Sequence, residues 1–84
     1  MPQWTLLTRD GCTLCDEFMH DLAAILGPDE VSRVQLVDVD ADPETRRKYG
    51  TRIPVLLADG DMVCHYHVDG ERIRPYLTGS GAAS

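Results

Sequence analysis

Gly11-Cys12-Thr13-Leu14-Cys15 is the most informative segment of this sequence. Its two cysteines lie three residues apart, at the start of a pattern typical of an amphipathic helix. Residues i and i+3 of a helix share a face with Cβ atoms about 5–6 Å apart, so the pair can close a short disulfide with little backbone movement. The positive end of the helix dipole also favours a thiolate. The stretch therefore predicts a dithiol that can attack a disulfide and be re-formed from one.

The length and composition of the chain are those of a small globular domain. Its 84 residues include 43% hydrophobic and 26% charged residues. A domain of this size buries only about 60% of the surface that its unfolded chain exposes. No apolar run approaches the ~20 residues of a membrane span, and the N-terminus lacks the basic and apolar segments of a signal peptide. We therefore expect a cytoplasmic protein with no membrane partner.

The charge and the cysteine content argue against two further classes. A net charge of −6 with scattered basic residues argues against nucleic acid as a partner, which would need clustered positive charge. The run Arg46-Arg47-Lys48 is typical of a solvated helix face. Three cysteines in a chain without a secretory signal indicate redox or metal chemistry rather than a disulfide framework.

The first half of the chain predicts a strand, a helix and a second strand. Residues 4–8 form an apolar, β-branched strand that ends in a turn at residues 9–11. From Cys12 the apolar residues follow a helical period until Gly27-Pro28 ends the helix. The apolar stripe of this helix consists of Cys15, Phe18, Leu22, Ile25 and Leu26. Residues 34–39 predict a mostly apolar strand, as expected if both of its faces are covered.

The second half predicts a short helix and a hairpin. Asp42 is the predicted N-cap and Pro43 the first residue of a helix that ends at Gly50. Asp59-Gly60 is a strong hairpin-turn signal, and a strand flanks it on each side, at residues 54–58 and 62–67.

A last helix completes the fold. Asp69 is its predicted cap and Leu77 its last residue, and Pro75 should distort it or end it early because proline removes a hydrogen bond. The order β-α-β-α-β-β-α predicts an α/β protein with a four-stranded mixed sheet and helices on both faces. Residues 1–77 are predicted to form the domain and residues 78–84 a flexible C-terminal tail.

With this order established, four segments resemble the thioredoxin-fold superfamily in its minimal, glutaredoxin-like form. They are the first strand running into residues 11–15, the segment VDVDADP at 37–43, the segment YGTRIPV at 49–55, and Asp69 at the start of the last helix. The second and third segments together resemble a small bacterial glutaredoxin-like family. The resemblance covers nearly the whole chain, from about Gln3 to Leu77.

The resemblance implies roles for individual residues. Cys12 matches an exposed nucleophilic cysteine, and Cys15 matches a buried resolving cysteine. Pro54 matches a cis-proline beside the dithiol, a form that an X–Pro bond disfavours by only about 0.5–1 kcal/mol. Ile53 matches the residue whose backbone pairs with an extended substrate. Arg9 stands where glutaredoxins usually carry a lysine near the thiolate and the glutathione carboxylate.

The predicted substrate-binding set also includes Arg52, Thr13 and Leu14. The pair Thr13-Leu14 differs from the Gly-Pro of thioredoxins and from the Pro-Tyr of glutaredoxins. Glutaredoxins also commonly carry a Gly-Gly pair that lets glutathione approach the backbone. His65 and Tyr66 stand at those two positions here, so the chain departs from the glutathione-binding pattern.

Opposing charges are expected around Cys12. The helix terminus and Arg9 lower the pKa of the Cys12 thiol, whereas the carboxylates of Asp10 and Asp16 raise it. We therefore expect a moderately lowered pKa, nearer to that of thioredoxin than to that of strongly oxidising proteins.

The remaining cysteine and the histidines leave open alternatives. A Cys-x-x-Cys pair is half of a zinc site, and Cys64, His65 and His67 could offer the rest. On a strand, however, Cys64 and His65 point to opposite faces, so we predict no bound metal. Cys64 is expected in the core, on one face with Met62, Tyr66 and Val68, the alternative being a third redox cysteine. His65 and His67 are expected on an exposed face.

Thiol–disulfide exchange is the function that these observations favour, with Cys12 as nucleophile and Cys15 as resolving cysteine. The predicted substrate is a protein disulfide or a small thiol compound, and glutathione is a candidate reductant or co-substrate that is not permanently bound. The protein is predicted to act as a monomer. The alternative is a non-catalytic binding module that recognises a partner through the cis-proline groove.

Overall fold

The computed structural model describes residues 2–78 of the chain. Its elements, in chain order, are β1 (Trp4–Thr8), α1 (Thr13–Leu26), α2 (Pro28–Val31), β2 (Gln35–Asp38), a 3-10 turn (Val39–Ala41), α3 (Pro43–Tyr49), β3 (Val55–Ala58), β4 (Asp61–His65) and α4 (Gly70–Thr78). The predicted order is confirmed, and α2 and the 3-10 turn are added to it. No helix among the residues described is long and apolar enough to cross a bilayer.

The four strands form one mixed sheet in the order β2-β1-β3-β4. β1 and β2 are parallel, with Leu6 opposite Leu36. β3 is antiparallel to both β1 and β4. Helix α1 supplies the crossover between the parallel pair, because parallel neighbours cannot be joined by a tight turn. The predicted four-stranded mixed sheet is confirmed.

The first core lies between one face of the sheet and helices α1 and α4. Phe18 and Leu22 of α1 pack there with Trp4 and Leu6 of β1, and Ile73 of α4 joins them. All five side chains are at most 2% exposed. Burying a side chain of this kind contributes about 1.5–3 kcal/mol. The helical stripe predicted from Cys15 to Leu22 is confirmed, whereas Ile25 lies at the rim and is 37% exposed.

The second core lies on the opposite face of the sheet, because successive residues of a strand point to opposite faces. Leu7 alternates with Leu6 and packs here with Val39 and Val55. Tyr49 at the end of α3 and Ile53 in the following loop cover this second core. Helices therefore lie on both faces of the sheet, as predicted.

Strand β2 differs from its prediction. It is an edge strand, and Leu36 is 58% exposed while only Val37 is half-buried. The sequence pattern suggested cover on both faces, but an edge strand has a single neighbouring strand and receives less cover. The apolar run of residues 34–39 is therefore buried mainly at its end, at Val39.

The hairpin between β3 and β4 forms at the predicted turn. Asp59 and Gly60 have φ values of 52° and 90°, and positive φ at both central residues is the signature of a type I′ turn. The register then shifts between Leu56 and Leu57, so that Val63 as well as Cys64 is buried. This irregularity overturns the expected alternation, because Met62 is 38% exposed instead of joining Cys64 in the core.

Local signals set most helix ends. The Asp42 carboxylate accepts a hydrogen bond from the Glu44 N–H, and the Asp69 carboxylate accepts one from the Glu71 N–H, so both predicted caps are confirmed. Gly27 ends α1 with a φ of 88°, but Pro28 then starts α2, since proline fits the first position of a helix.

Helix α4 continues past its proline. It runs to Thr78, three residues beyond Pro75, so of the two effects expected of Pro75, distortion or an early end, the early end does not occur. Because Thr78 belongs to α4, only residues 79–84 of the predicted tail remain, and these lie outside the residues that the structure describes.

Candidate redox site

The dithiol lies where the turn after β1 leads into α1. Gly11 has a φ of 76°, a left-handed conformation that glycine adopts without a steric penalty, and it turns the chain into the helix. The Cys12 N–H closes this turn on the Arg9 carbonyl oxygen at 3.2 Å. Cys12 is then the N-cap of α1, with extended backbone at φ −87° and ψ 101°. The sequence thus places one sulfur just outside the helix and the other in its first turn.

Cys12 and Cys15 form a disulfide. Their Cα atoms are 5.2 Å apart, within the usual range of about 4.4–6.8 Å for bridged cysteines. The Cys15 N–H also donates to the Cys12 Sγ at 3.0 Å. This amide belongs to the unpaired donors at a helix N-terminus, which stabilise negative charge on a nearby atom. The Cys12 sulfur therefore lies where a thiolate is favoured.

The two cysteines differ in access. Cys12 is half-buried, whereas Cys15 is only 4% exposed. Between them, Thr13 is exposed and Leu14 is half-buried in the first turn of α1. Asp10 and Asp16 are exposed on either side of the dithiol along the chain. A molecule approaching from solvent meets Cys12 and the acidic positions around it before it meets Cys15.

Arg9 is held by an acidic partner of its own. Its Nε and Nη2 donate to the two carboxylate oxygens of Asp40 at 2.7 and 2.9 Å. This charge-assisted pair raises the pKa of Arg9, and it lowers the pKa of Asp40. The positive charge of Arg9 is therefore balanced largely by Asp40. Its predicted contribution to the thiolate and to substrate binding stays a prediction.

The loop before β3 reaches the same end of the sheet. The Ile53–Pro54 peptide bond is cis, and Pro54 is fully buried. Leu7 and Val55 are register partners in the antiparallel β1–β3 pair, so the residue before Val55 and the residue after Leu7 lie at one end of the sheet. This is also the end from which β1 leads to Cys12. Register therefore brings the dithiol turn and the proline loop together.

A tyrosine secures the proline loop from the side of β4. The Tyr66 N–H donates to the Pro54 carbonyl oxygen at 2.9 Å, and its hydroxyl donates to the Thr51 carbonyl oxygen at 2.7 Å. Strand alternation predicts Tyr66 on the face of Cys64, in the core, but Tyr66 is 43% exposed, so this prediction is wrong. The hydroxyl contact joins residues 15 positions apart in the sequence, so no local sequence pattern predicts it.

Comparison with known proteins identifies the family of this chain. A family model described as glutaredoxin-like domain (DUF836) matches residues 3–78. The chain belongs to this glutaredoxin-like family. An uncharacterized protein of Mycobacterium tuberculosis is 37% identical to it over 81 residues, which cover 87% of this chain and 79% of that protein.

Two solved structures share the fold of this glutaredoxin-like domain. One is the solution structure of a Nitrosomonas europaea protein, with a TM-score of 0.77 and 28% identity, covering 90% of this chain and 92% of that one. The other is an X-ray structure of an X. campestris protein, with a TM-score of 0.69 and 31% identity, covering 90% and 96% of the two chains. The minimal thioredoxin-like architecture expected from the sequence is thereby confirmed.

The third cysteine of the glutaredoxin-like domain, Cys64, lies in different surroundings from the dithiol. Cys64 is a free thiol, 6% exposed, within the first core. Burial raises its pKa, although a hydrogen bond from the Asp69 backbone partly offsets that effect. The prediction of a core position is confirmed.

The histidines beside Cys64 do not complete a metal site. His67 is exposed, but His65 is half-buried and its Nδ1 has no hydrogen-bond partner among the residues described. The expected exposed face therefore holds for His67 alone. Across residues 2–78 no cluster of three metal-ligating side chains occurs.

Proposed function

We propose that this chain is a thiol–disulfide oxidoreductase that uses Cys12 as nucleophile and Cys15 as resolving cysteine. The observation that carries the proposal is the unequal placement of two bonded sulfurs. Cys12 is half-buried at a helix N-cap, while Cys15 is 4% exposed behind it. Exchange requires one accessible thiolate to attack and a second thiol within bonding distance to release the substrate.

In the first step the Cys12 thiolate attacks one sulfur of a substrate disulfide. A bond forms between Cys12 Sγ and that sulfur, the substrate disulfide breaks, and the other substrate sulfur leaves as a thiolate. The Cys15 N–H, which donates to Cys12 Sγ at 3.0 Å in the disulfide form, supports the attacking thiolate before the bond forms.

In the second step the Cys15 thiolate attacks Cys12 Sγ. The mixed disulfide breaks, the second substrate thiolate leaves, and the Cys12–Cys15 disulfide remains. The substrate gains two electrons and the dithiol loses two, so each cycle needs a thiol reductant to restore the pair. Glutathione is the proposed reductant, and a protein disulfide or a small disulfide is the proposed substrate.

The proline loop supports a role in substrate alignment. Within residues 2–78 the backbone N–H and C=O of Ile53 form no backbone hydrogen bond, although both groups belong to a half-buried residue. Unpaired backbone groups next to a sheet can pair with an extended peptide. We therefore propose that Ile53 binds the substrate backbone, with Arg52 exposed beside it to contact a carboxylate.

A turnover assay tests this proposal. The wild-type chain should reduce insulin or a peptide disulfide in the presence of a recycling thiol, and Cys12→Ser should lower that rate by at least about 10³-fold because the nucleophile is lost. Cys64→Ala is the matched control and should retain the rate, since its thiol is buried. Absence of turnover in the wild type, with partner binding unchanged in Cys12→Ser, would instead support the non-catalytic binding module.

A further inference from the structure

Tyr66 adopts a conformation that its side chain disfavours. Its φ is 67°, in the left-handed region that residues other than glycine rarely occupy. That conformation is unfavourable for a residue with a side chain, so the surrounding contacts must fix it. Such strain is concentrated at ligand-binding and catalytic positions, and Tyr66 lies just after β4 at the sheet end that carries the proline loop.

The contacts of Tyr66 join both ends of one short loop. Its N–H donates to Pro54 and its hydroxyl donates to Thr51, at 2.9 and 2.7 Å. The loop between these two carbonyls contains Arg52 and Ile53, the residues proposed to align a substrate. Tyr66 thus contacts both ends of this segment, through its backbone and through its side chain, and the segment lies at the same end of the sheet as the dithiol.

The ring of Tyr66 remains available to a ligand. Tyr66 is 43% exposed, and its ring leans against His65 with a centroid distance of 4.7 Å. Its hydroxyl is anchored, so the exposed ring is already ordered before anything binds. Ordered aromatic rings provide large contact areas at low entropic cost, which makes tyrosine a frequent contact residue for polypeptides.

The exposed charges around the start of α1 give little help to a small anionic disulfide, and the exposed Arg52 is available to both kinds of substrate. Asp10, Asp16 and Glu17 are exposed around the start of α1, and Arg9 is paired with Asp40. A compact disulfide must bind through its few groups next to the sulfurs. An extended polypeptide can also reach the Ile53 backbone and the Tyr66 ring.

Resting on the proposed function, we propose that Tyr66 is a specificity-determining residue that makes the dithiol prefer disulfides within polypeptides over small disulfides. Its hydroxyl holds the loop that aligns the substrate backbone, and its ring contacts residues flanking the substrate cysteine. The chemistry of exchange at the sulfurs is the same for both kinds of substrate, so Tyr66 acts on binding alone.

The test compares kcat/KM on two substrates, a disulfide-linked synthetic peptide and bis(2-hydroxyethyl) disulfide. Tyr66→Gly should lower kcat/KM for the peptide about tenfold, mainly through KM, and leave the small disulfide within about twofold. Glycine suits a φ of 67°, so this variant keeps the backbone. Tyr66→Phe, which loses only the hydroxyl, should raise the peptide KM by about 2–10-fold. Tyr76→Phe is the matched control, since Tyr76 packs on Trp4 at the opposite end of β1.

The other possible results separate this inference from the oxidoreductase proposal. If Tyr66→Gly leaves the ratio of kcat/KM for the two substrates unchanged, the specificity role would be overturned while the oxidoreductase proposal stays intact. An equal change in Tyr76→Phe would have the same meaning. A wild-type chain that turns over neither substrate would overturn the oxidoreductase proposal and this inference together.

Discussion

The start of α1 and the middle of β4 place the same functional group in opposite environments. Cys12 is half-buried at a helix N-cap, with the Cys15 amide directed at its sulfur. Cys64 is 6% exposed in the first core, where burial raises its pKa. The N-cap position of Cys12 favours the thiolate and allows a partner to approach. The core position of Cys64 disfavours the thiolate and restricts access. We therefore expect the reactivity of each thiol to depend on its position in the fold.

Thiol labelling should give the largest difference between the two regions. In the reduced native protein, Cys12 should react with iodoacetamide at least about 100-fold faster than Cys64, because Cys64 is only 6% exposed and burial raises the pKa of its thiol. Peptide mapping after timed quenching measures both rates. In guanidinium chloride the two rates should converge. Similar rates in the native protein would mean that the first core does not protect Cys64.

The alkaline stability of the oxidised protein should show a smaller effect. Because burial raises the pKa of Cys64, the unfolded thiol loses its proton at a lower pH than the folded one. The Cys64 contribution is thus fully present below the pKa of the unfolded thiol, about 8.5, and is lost as pH rises above it. Chemical unfolding of the oxidised protein between neutral and alkaline pH measures this.

Cys64→Ala is the matched control for the alkaline measurement. Cys12 and Cys15 do not titrate while they form a disulfide, so Cys64 is the one cysteine that ionises in the oxidised protein. The variant should therefore lose less stability over the alkaline range than the wild type. Parallel curves would indicate that the Cys64 thiol has the same pKa in the folded and unfolded states.

The smallest predicted effect concerns the charges at the dithiol. Asp40→Asn leaves Arg9 without its anionic partner, so the unbalanced guanidinium should lower the pKa of the reduced Cys12 thiol slightly. Arg9→Gln should move the same pKa upward. Thiolate absorbance against pH, measured with Cys64→Ala as the background, reports both shifts. Identical titrations in all variants would show that Arg9 lies too far from Cys12 to act on it.

Local patterns predicted those parts of the molecule whose causes are local. The helical period identified Phe18 and Leu22 as core residues, and Asp42 and Asp59-Gly60 marked a cap and a hairpin through their own backbone preferences. The spacing of Cys12 and Cys15 likewise fixes both sulfurs to one helix terminus.

Local sequence patterns could not predict features that depend on the assembled sheet. The exposure of Leu36 follows from strand order, and the burial of Val63 follows from a register shift. The Arg9–Asp40 pair joins residues 31 positions apart. The sequence pattern predicts the wrong face for Tyr66, because neither its positive φ nor its hydrogen bond to Thr51 leaves a local signature.

Capture of the mixed disulfide most directly examines whether Cys12 is the nucleophile. Cys15→Ser cannot complete the second step, so incubation with a disulfide-linked peptide should leave half of that peptide attached to the chain. Mass spectrometry with peptide mapping should locate the adduct on Cys12 in most molecules and leave Cys64 unmodified. An adduct on Cys64, or no adduct on Cys12 under conditions in which the native fold is retained, would contradict the mechanism.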